Sequence, residues 1–365
     1  CWPTWDRLGL VSNFEATLQY MAALDVDEGV RCWQRELLSP SAGEVTFIGP
    51  VGNALTPVQA KGFPAIRELP EFAAVYPKIF HLGEVTRYRP GERMVARVVL
   101  DSAWAPAITD FRVSGEPALP VSILLENAVW SAQWTTPRRW STPRLVHIED
   151  LTVHLPALRL HDSGIELERV DAGSYRADGR WEVDVRYRRP TPRGWDPVAQ
   201  LRLVYDRTEE SDEQRTPPLT PVLPPSGEPG RPCPPGLYWP GLVLRVTAWR
   251  GSWRAAVTAT VDEPGPDDLW LLPLPPQTRL PVAALENILR ALVAGSLAPT
   301  PADRLFVRRV TLHGHLHIGT NRIDGVPREG RWRVTDSDAD RPVLTVLGPR
   351  LGRWPDQDRH QDRQA

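Results

Sequence analysis

Two glutamates stand in the same phrase twice. Leu119-Pro120-Val121 runs into Leu125-Glu126-Asn127, and Leu280-Pro281-Val282 runs into Leu285-Glu286-Asn287. A carboxylic acid on an apolar helix gives or takes a proton near neutral pH once burial lifts its pKa. Glu126 and Glu286 are therefore candidates for general acid–base work, and Tyr238 is a candidate to assist them. Each glutamate also has a plainer reading, as a carboxylate that pairs with an arginine or accepts backbone N–H bonds. Asp110, in Asp110-Phe111-Arg112-Val113-Ser114-Gly115, reads as a displaced acid or as a brace for its turn. His313, His315 and His317 alternate, so they share one strand face. That spacing suits Zn²⁺ if a carboxylate joins, but His154 answers His313 earlier in the chain without the other two. No metal site is assigned.

These residues need elements to hold them. Apolar residues recur at Val121, Leu124, Leu125, Ala128, Val129 and Ala132, the rhythm of a helix with one buried face. Pro120 suits its first turn. A second helix is expected at 281–294. The repeat extends outward. Tyr88-Arg89-Pro90-Gly91 is matched with Tyr238-Trp239-Pro240-Gly241, and Arg144-Leu145 with Arg304-Leu305. Leu151 to His154 is matched with Val310 to His313, and Gly179-Arg180-Trp181 with Gly330-Arg331-Trp332. The chain thus reads as two copies of one unit, a long helix plus several strands, over about 88–206 and 238–348. Strands are expected near 88–101, 145–160, 180–188 and 199–206, then near 242–249, 253–261, 305–317, 331–335 and 342–347.

Composition bounds the function. The 365 residues carry a formal net charge of -2 and are 41% hydrophobic. That is a globular composition, and its near-neutral charge argues against nucleic acid as a partner. No apolar run reaches the length of a membrane helix. The opening residues do not read as a signal peptide, and the chain looks like a piece of a longer protein. Three scattered cysteines suggest a reducing cytoplasm. The expected organisation is a reductase-like tail at 1–49, a linker at 50–80 and a first unit at 81–210. A linker at 211–235, a second unit at 236–354 and a disordered tail at 355–365 complete it.

The stretch 88–348 resembles the dehydratase domain of polyketide synthases. That family carries His-x-x-x-Gly-x-x-x-x-Pro in its first copy; here Phe111, Gly115 and Pro120 occupy the three positions, after Asp110. Pro235-Gly236-Leu237-Tyr238-Trp239-Pro240 looks like the family's Gly-x-x-Tyr-Gly-Pro, with Trp for Gly. Residues 1–49 resemble the C-terminal tail of a ketoreductase domain, on Trp2, Trp5, Gly9, Glu28-Gly29, Arg35-Glu36-Leu37 and the strand 45–49. In that tail the helix after Asp27 would present Val30, Trp33 and Leu37 as its apolar side.

The resemblance implies an α+β double hot-dog fold, two tandem units of a long central helix wrapped by an antiparallel sheet. It implies a 3-hydroxyacyl thioester carried on the phosphopantetheine of an acyl carrier protein, and no cofactor of the domain's own. Other synthase domains, and a second copy in a homodimer, would be the remaining partners. Dehydration needs a base for the α-proton and an acid for the departing hydroxyl. The family's base is the histidine at the Phe111 position, and phenylalanine carries no proton. The family's acid falls one residue before Glu286. Asp110, Gly115, Pro120 and Pro240 would line the substrate. The resemblance thus points to a degenerate dehydratase. The alternatives are an active hydro-lyase or enoyl isomerase using Glu286 or Glu126, and a non-catalytic docking domain. Arg138, Arg139 and Arg144 form a basic run that would suit an acidic carrier.

Overall fold

The computed structural model describes residues 26–38, 72–113, 115–137, 140, 143–192, 194–207, 243, 246–251, 256–272, 275–295, 303–313 and 319–352. The chain divides into two compact units, Cys1–Ile66 and Arg67–Ala365. In the first unit the described element is helix α1 (Val26–Leu38). Val30, Trp33 and Leu37 are 37%, 54% and 67% exposed. The apolar side expected of them is thus largely exposed. The rest of the reductase-like tail lies outside the described residues.

The second unit opens with α2 (Phe72–Phe80), a helix where the sequence reads as linker. Strands β1 (Glu84–Arg89) and β2 (Arg93–Asp101) follow. They are a hairpin rather than the single strand expected, since Pro90-Gly91 turns the chain, with Gly91 at φ 72. Next come β3 (Phe111–Val113), β4 (Glu116–Ala118), α3 (Val121–Ser131), β5 (Pro143–His154), β6 (Gly164–Tyr175), β7 (Trp181–Thr191) and β8 (Gly194–Arg207). The second copy supplies β9 (Val246–Gly251), β10 (Val257–Asp262), α4 (Pro266–Leu269), α5 (Val282–Gly295) and β11 (Arg304–Leu312). It ends with β12 (Thr320–Val326), β13 (Arg331–Asp336), β14 (Arg341–Leu347) and β15 (Arg350–Gly352).

The sheet shows the duplication directly. Its order is β1-β2-β6-β7-β8-β5-β11-β14-β13-β12-β10-β9, with β15 on β11. Read inward from either edge, the strands of the two copies come in the same order: the hairpin (β1, β2 and β9, β10), then the second, third and fourth strands after the central helix (β6, β7, β8 and β12, β13, β14), and last the first strand after it (β5 and β11). The copies meet where β5 pairs antiparallel with β11, from Arg304↔His154 to Thr311↔His147. Arg309 opposes Glu149 there. The two are 160 residues apart, as are Arg144 and Arg304, so a local two-fold axis passes through this pair. After Asp150, at φ 52, the ladder skips from Glu149 to Thr152. This bulge absorbs one residue and explains why Leu151–His154 matches 310–313 at a spacing of 159. The match of 88–91 with 238–241 does not join equivalent places. The first ends β1 and its turn, whereas the second precedes β9.

Both central helices sit in the curve of the sheet, α3 buried throughout and α5 buried from Val282 to Leu289. All eleven residues of α3 are buried, so the single apolar face expected is wrong. Helices α2 and α5 pack on it, and from the sheet the hydroxyls of Tyr187 and Tyr205 donate to its Leu124 and Val129 carbonyls. Its polar residues then need internal partners. Asn127 has three: its Nδ2 donates to the His81 carbonyl at 3.0 Å, and its Oδ1 accepts from Arg169 Nη1 and Tyr187 Oη, both at 2.8 Å. Arg169 is itself fully buried, paired with Asp171 at 3.0 Å, and donates to the carbonyls of His81 and Leu82. This cluster welds the entry of the domain to its central helix.

The outer face of the seam carries an ion network. Glu149 accepts from Arg176 at 2.9 Å and pairs with Arg309 at 2.9 Å. These two arginines hold its carboxyl below the usual range despite the opposing effect of burial. A lowered folded pKa gives stability above the unfolded value, lost as pH falls through the folded one. Glu149→Gln is therefore expected to flatten the acid limb of a Tm-against-pH curve; an unchanged limb would discard the role.

Candidate active site

The sequence candidates on the first copy surround the entry to α3. A short turn over Pro106–Thr109 delivers Asp110 and then Phe111 on β3. Phe111 opposes Ala118 of β4, and Gly115 turns the chain between them at φ 87, a conformation suited to glycine. Phe111 is 5% exposed and belongs to the continuous core. Asp110 is 3% exposed, and its Oδ2 accepts from the Val243 N–H at 2.9 Å. Its carboxylate thus braces the second copy as well as sitting at its own turn. Pro120 directly precedes the helix, at φ -59, rather than lying in its first turn. Tyr238, Pro240, His315 and His317 lie outside the described residues. His313 shares a 2.9 Å hydrogen bond with Thr345.

The two glutamates do not face a common point; they exchange places. Glu126, on α3, accepts from the backbone N–H groups of Arg279 at 2.6 Å and Leu280 at 2.9 Å, just ahead of α5. It also accepts the Trp130 indole N–H at 2.7 Å. Glu286, on α5, accepts the Ser122 backbone N–H at 2.8 Å, in the first turn of α3. Glu286 thus caps a first-turn N–H of the other copy's helix, while Glu126 holds the chain leading into α5. First-turn N–H groups lack helical partners and favour negative charge. The antiparallel packing of α3 on α5 brings each glutamate alongside the other helix's start.

A third acid was not visible in the sequence. Glu263, just past β10, accepts from the N–H groups of Ala283 at 2.9 Å and Ala284 at 2.9 Å, with Asn321 as a further donor. It stands in neither repeated phrase, and only the fold brings it to α5. Burial pushes both Glu126 and Glu263 up to about 7 against the pull of their donors. The N–H groups that hold Glu126 occupy both of its oxygens, which makes it a structural acceptor.

No family model matches this chain, and neither does any curated protein. Solved structures do. The dehydratase domain from the CurK module of curacin polyketide synthase is 12% identical, with a TM-score of 0.51 over 75% of this chain and 98% of that domain. An inactive variant of CurK dehydratase with an aspartate changed to asparagine is 13% identical, at a TM-score of 0.51 over 75% and 98%. Another inactive variant, with a histidine changed to phenylalanine, is 13% identical at a TM-score of 0.50 over 75% and 98%. The duplicated sheet, the two buried helices and these likenesses establish that the chain has the α+β double hot-dog fold of polyketide synthase dehydratase domains.

Proposed function

We propose that the chain is a degenerate dehydratase-type domain of a polyketide synthase, kept for its architecture after losing the chemistry. One observation carries this reading: the position of the family's histidine is Phe111, a buried core residue. Loss of a positioned general base costs about 10²–10⁴ in rate. The engaged carboxylates support it, since Glu126 spends both oxygens on the helix start opposite. The inactive CurK dehydratase variant with histidine replaced by phenylalanine supports reading Phe111, at the expected place of the family's histidine, as a lost base.

On this reading the substrate class is a 3-hydroxyacyl thioester on the phosphopantetheine of an acyl carrier protein. The domain needs no cofactor of its own, sits among other synthase domains as a homodimer, and works in the cytoplasm. No described helix is long and apolar enough to cross a membrane. The test is mass spectrometry on carrier-bound 3-hydroxyacyl substrates, following loss of water. The parent is expected to be silent. Turnover by the parent at an ordinary rate would overturn the reading, and Glu286→Gln beside Glu126→Gln would then show which carboxylate does the work.

A further inference from the structure

Strand β1 is an outer edge of the sheet. It pairs with β2 on one side and with no described strand on the other. All six of its residues are exposed. Tyr88 and Val85 stand opposite Met94 and Ala96, which are buried, so these two lie on the inner face of the sheet. They are nevertheless 44% and 39% exposed. Glu84 and Arg89 stand opposite Arg97 and Arg93, on the outer face. A long edge with apolar side chains is a template for another strand. β1 carries neither lysine nor proline to discourage that pairing, and its one irregularity is a register shift between Val85 and Arg87. Arg89 also lies directly opposite Arg93, a like-charge pair that an added carboxylate would relieve.

We infer that β1 is the surface on which a second copy of this chain docks, antiparallel and edge to edge, so that the two sheets run on as one. The strand reads Glu84-Val85-Thr86-Arg87-Tyr88-Arg89, and it complements itself when turned about its centre. Glu84 then meets Arg89 of the second copy, Val85 meets Tyr88, and Thr86 meets Arg87. Two-fold symmetry makes each of these contacts twice. The faces agree, since Glu84 and Arg89 are both outer and Val85 and Tyr88 both inner. Opposite charges, and an aromatic beside a β-branched residue, are the cross-strand pairs that stabilise a sheet. The incoming Glu84 carboxylate also lands beside the Arg89 and Arg93 pair. Sliding the second copy by two residues in either direction separates Val85 from Tyr88. The irregularity at Thr86 falls at the axis, which leaves the two ends of the strand to pair. The inference deepens the homodimer of the proposed reading and rests on that reading only for the presence of a second copy; it does not involve the lost base.

A contact along one strand is smaller than the about 1,200–2,000 Å² of a stable interface, so association should depend on concentration. The test is sedimentation velocity of the full chain over a concentration series, in which the parent is expected to pass from monomer to dimer. Glu84→Arg and Arg89→Glu each set like charges against each other at both ends of the contact. Each alone is expected to weaken the dimer by about tenfold or more. Both positions are exposed, so each variant should keep the parent's Tm, which separates lost association from lost folding. Mixed together, the two variants restore opposite charges at both ends, and a heterodimer close to the parent in strength is expected. A parent that stays monomeric overturns the inference together with the homodimer. A parent dimer that survives both substitutions, or a mixture that fails to associate, overturns this interface and leaves the homodimer to another surface.

Discussion

Glu126→Ala is expected to destabilise the domain by about 3–5 kcal/mol, because it strands buried donors. The N–H groups of Arg279, Leu280 and Trp130 would lose their acceptor together, at 2.6, 2.9 and 2.7 Å. The residue is fully buried, so water cannot take over. A loss of that size is a large part of a typical domain's stability. Glu286→Ala removes the acceptor of the Ser122 N–H, and should cost at least about 1–3 kcal/mol. Urea unfolding at constant m-value measures both. A loss below about 1 kcal/mol for Glu126→Ala would sink the idea that the exchanged carboxylates hold the copies together. The pH dependence has a defined sign. A folded pKa raised to about 7 gives stability that is present at acid pH and lost as pH rises through that value. Stability should therefore fall as pH rises from about 4.5, the unfolded value, to about 7, the folded one, and level off above it, and Glu126→Gln should reduce that slope.

The duplication was legible because both helices keep their apolar phrase, from Leu119 to Asn127 and from Leu280 to Asn287. The two longer strands that escaped notice are the same one in each copy, β6 and β12. Their inward positions explain it. On β6 the inner face runs Ile165, Leu167, Arg169, Asp171, and the buried ion pair breaks the apolar alternation that marks a strand. On β12 it runs Asn321, Ile323, Gly325, with an amide and a glycine in place of apolar residues. At the site, the types were legible and the aims were not. Glu126 falls seven residues after Leu119, whereas Glu286 falls six after Leu280. One residue turns a helical side chain by about 100°. Which neighbour each carboxylate meets is decided by packing between residues more than 150 positions apart, and no local pattern records it.

Glycine replacement beneath the two repeated tryptophans should also be severe. Trp332 is fully buried on β13, and its ring lies on Gly325 of β12. A Cβ at Gly325 would sit 2.2 Å from Trp332 Cε3 and 2.5 Å from Cζ3. The first copy repeats the device: a Cβ at Gly173 would lie 2.5 Å from Trp181 Cζ2 and 2.8 Å from the Thr135 carbonyl. A glycine in a strand often marks such close approach, and here it lets the sheet close around the helix in both copies. Gly325→Ala is expected to cost about 3 kcal/mol, since an enclosed indole cannot retreat without repacking its neighbours. Gly91→Ala separates this from backbone strain. It has a positive φ of 72 but nothing within 4 Å of the added atom, so its cost should be about 1 kcal/mol. Replacing the ring in the double variant, Gly325→Ala with Trp332→Phe, should recover part of the loss, with a coupling of about 1 kcal/mol or more by double-mutant cycle. Simple additivity would show that the ring and the glycine do not oppose each other as the geometry requires.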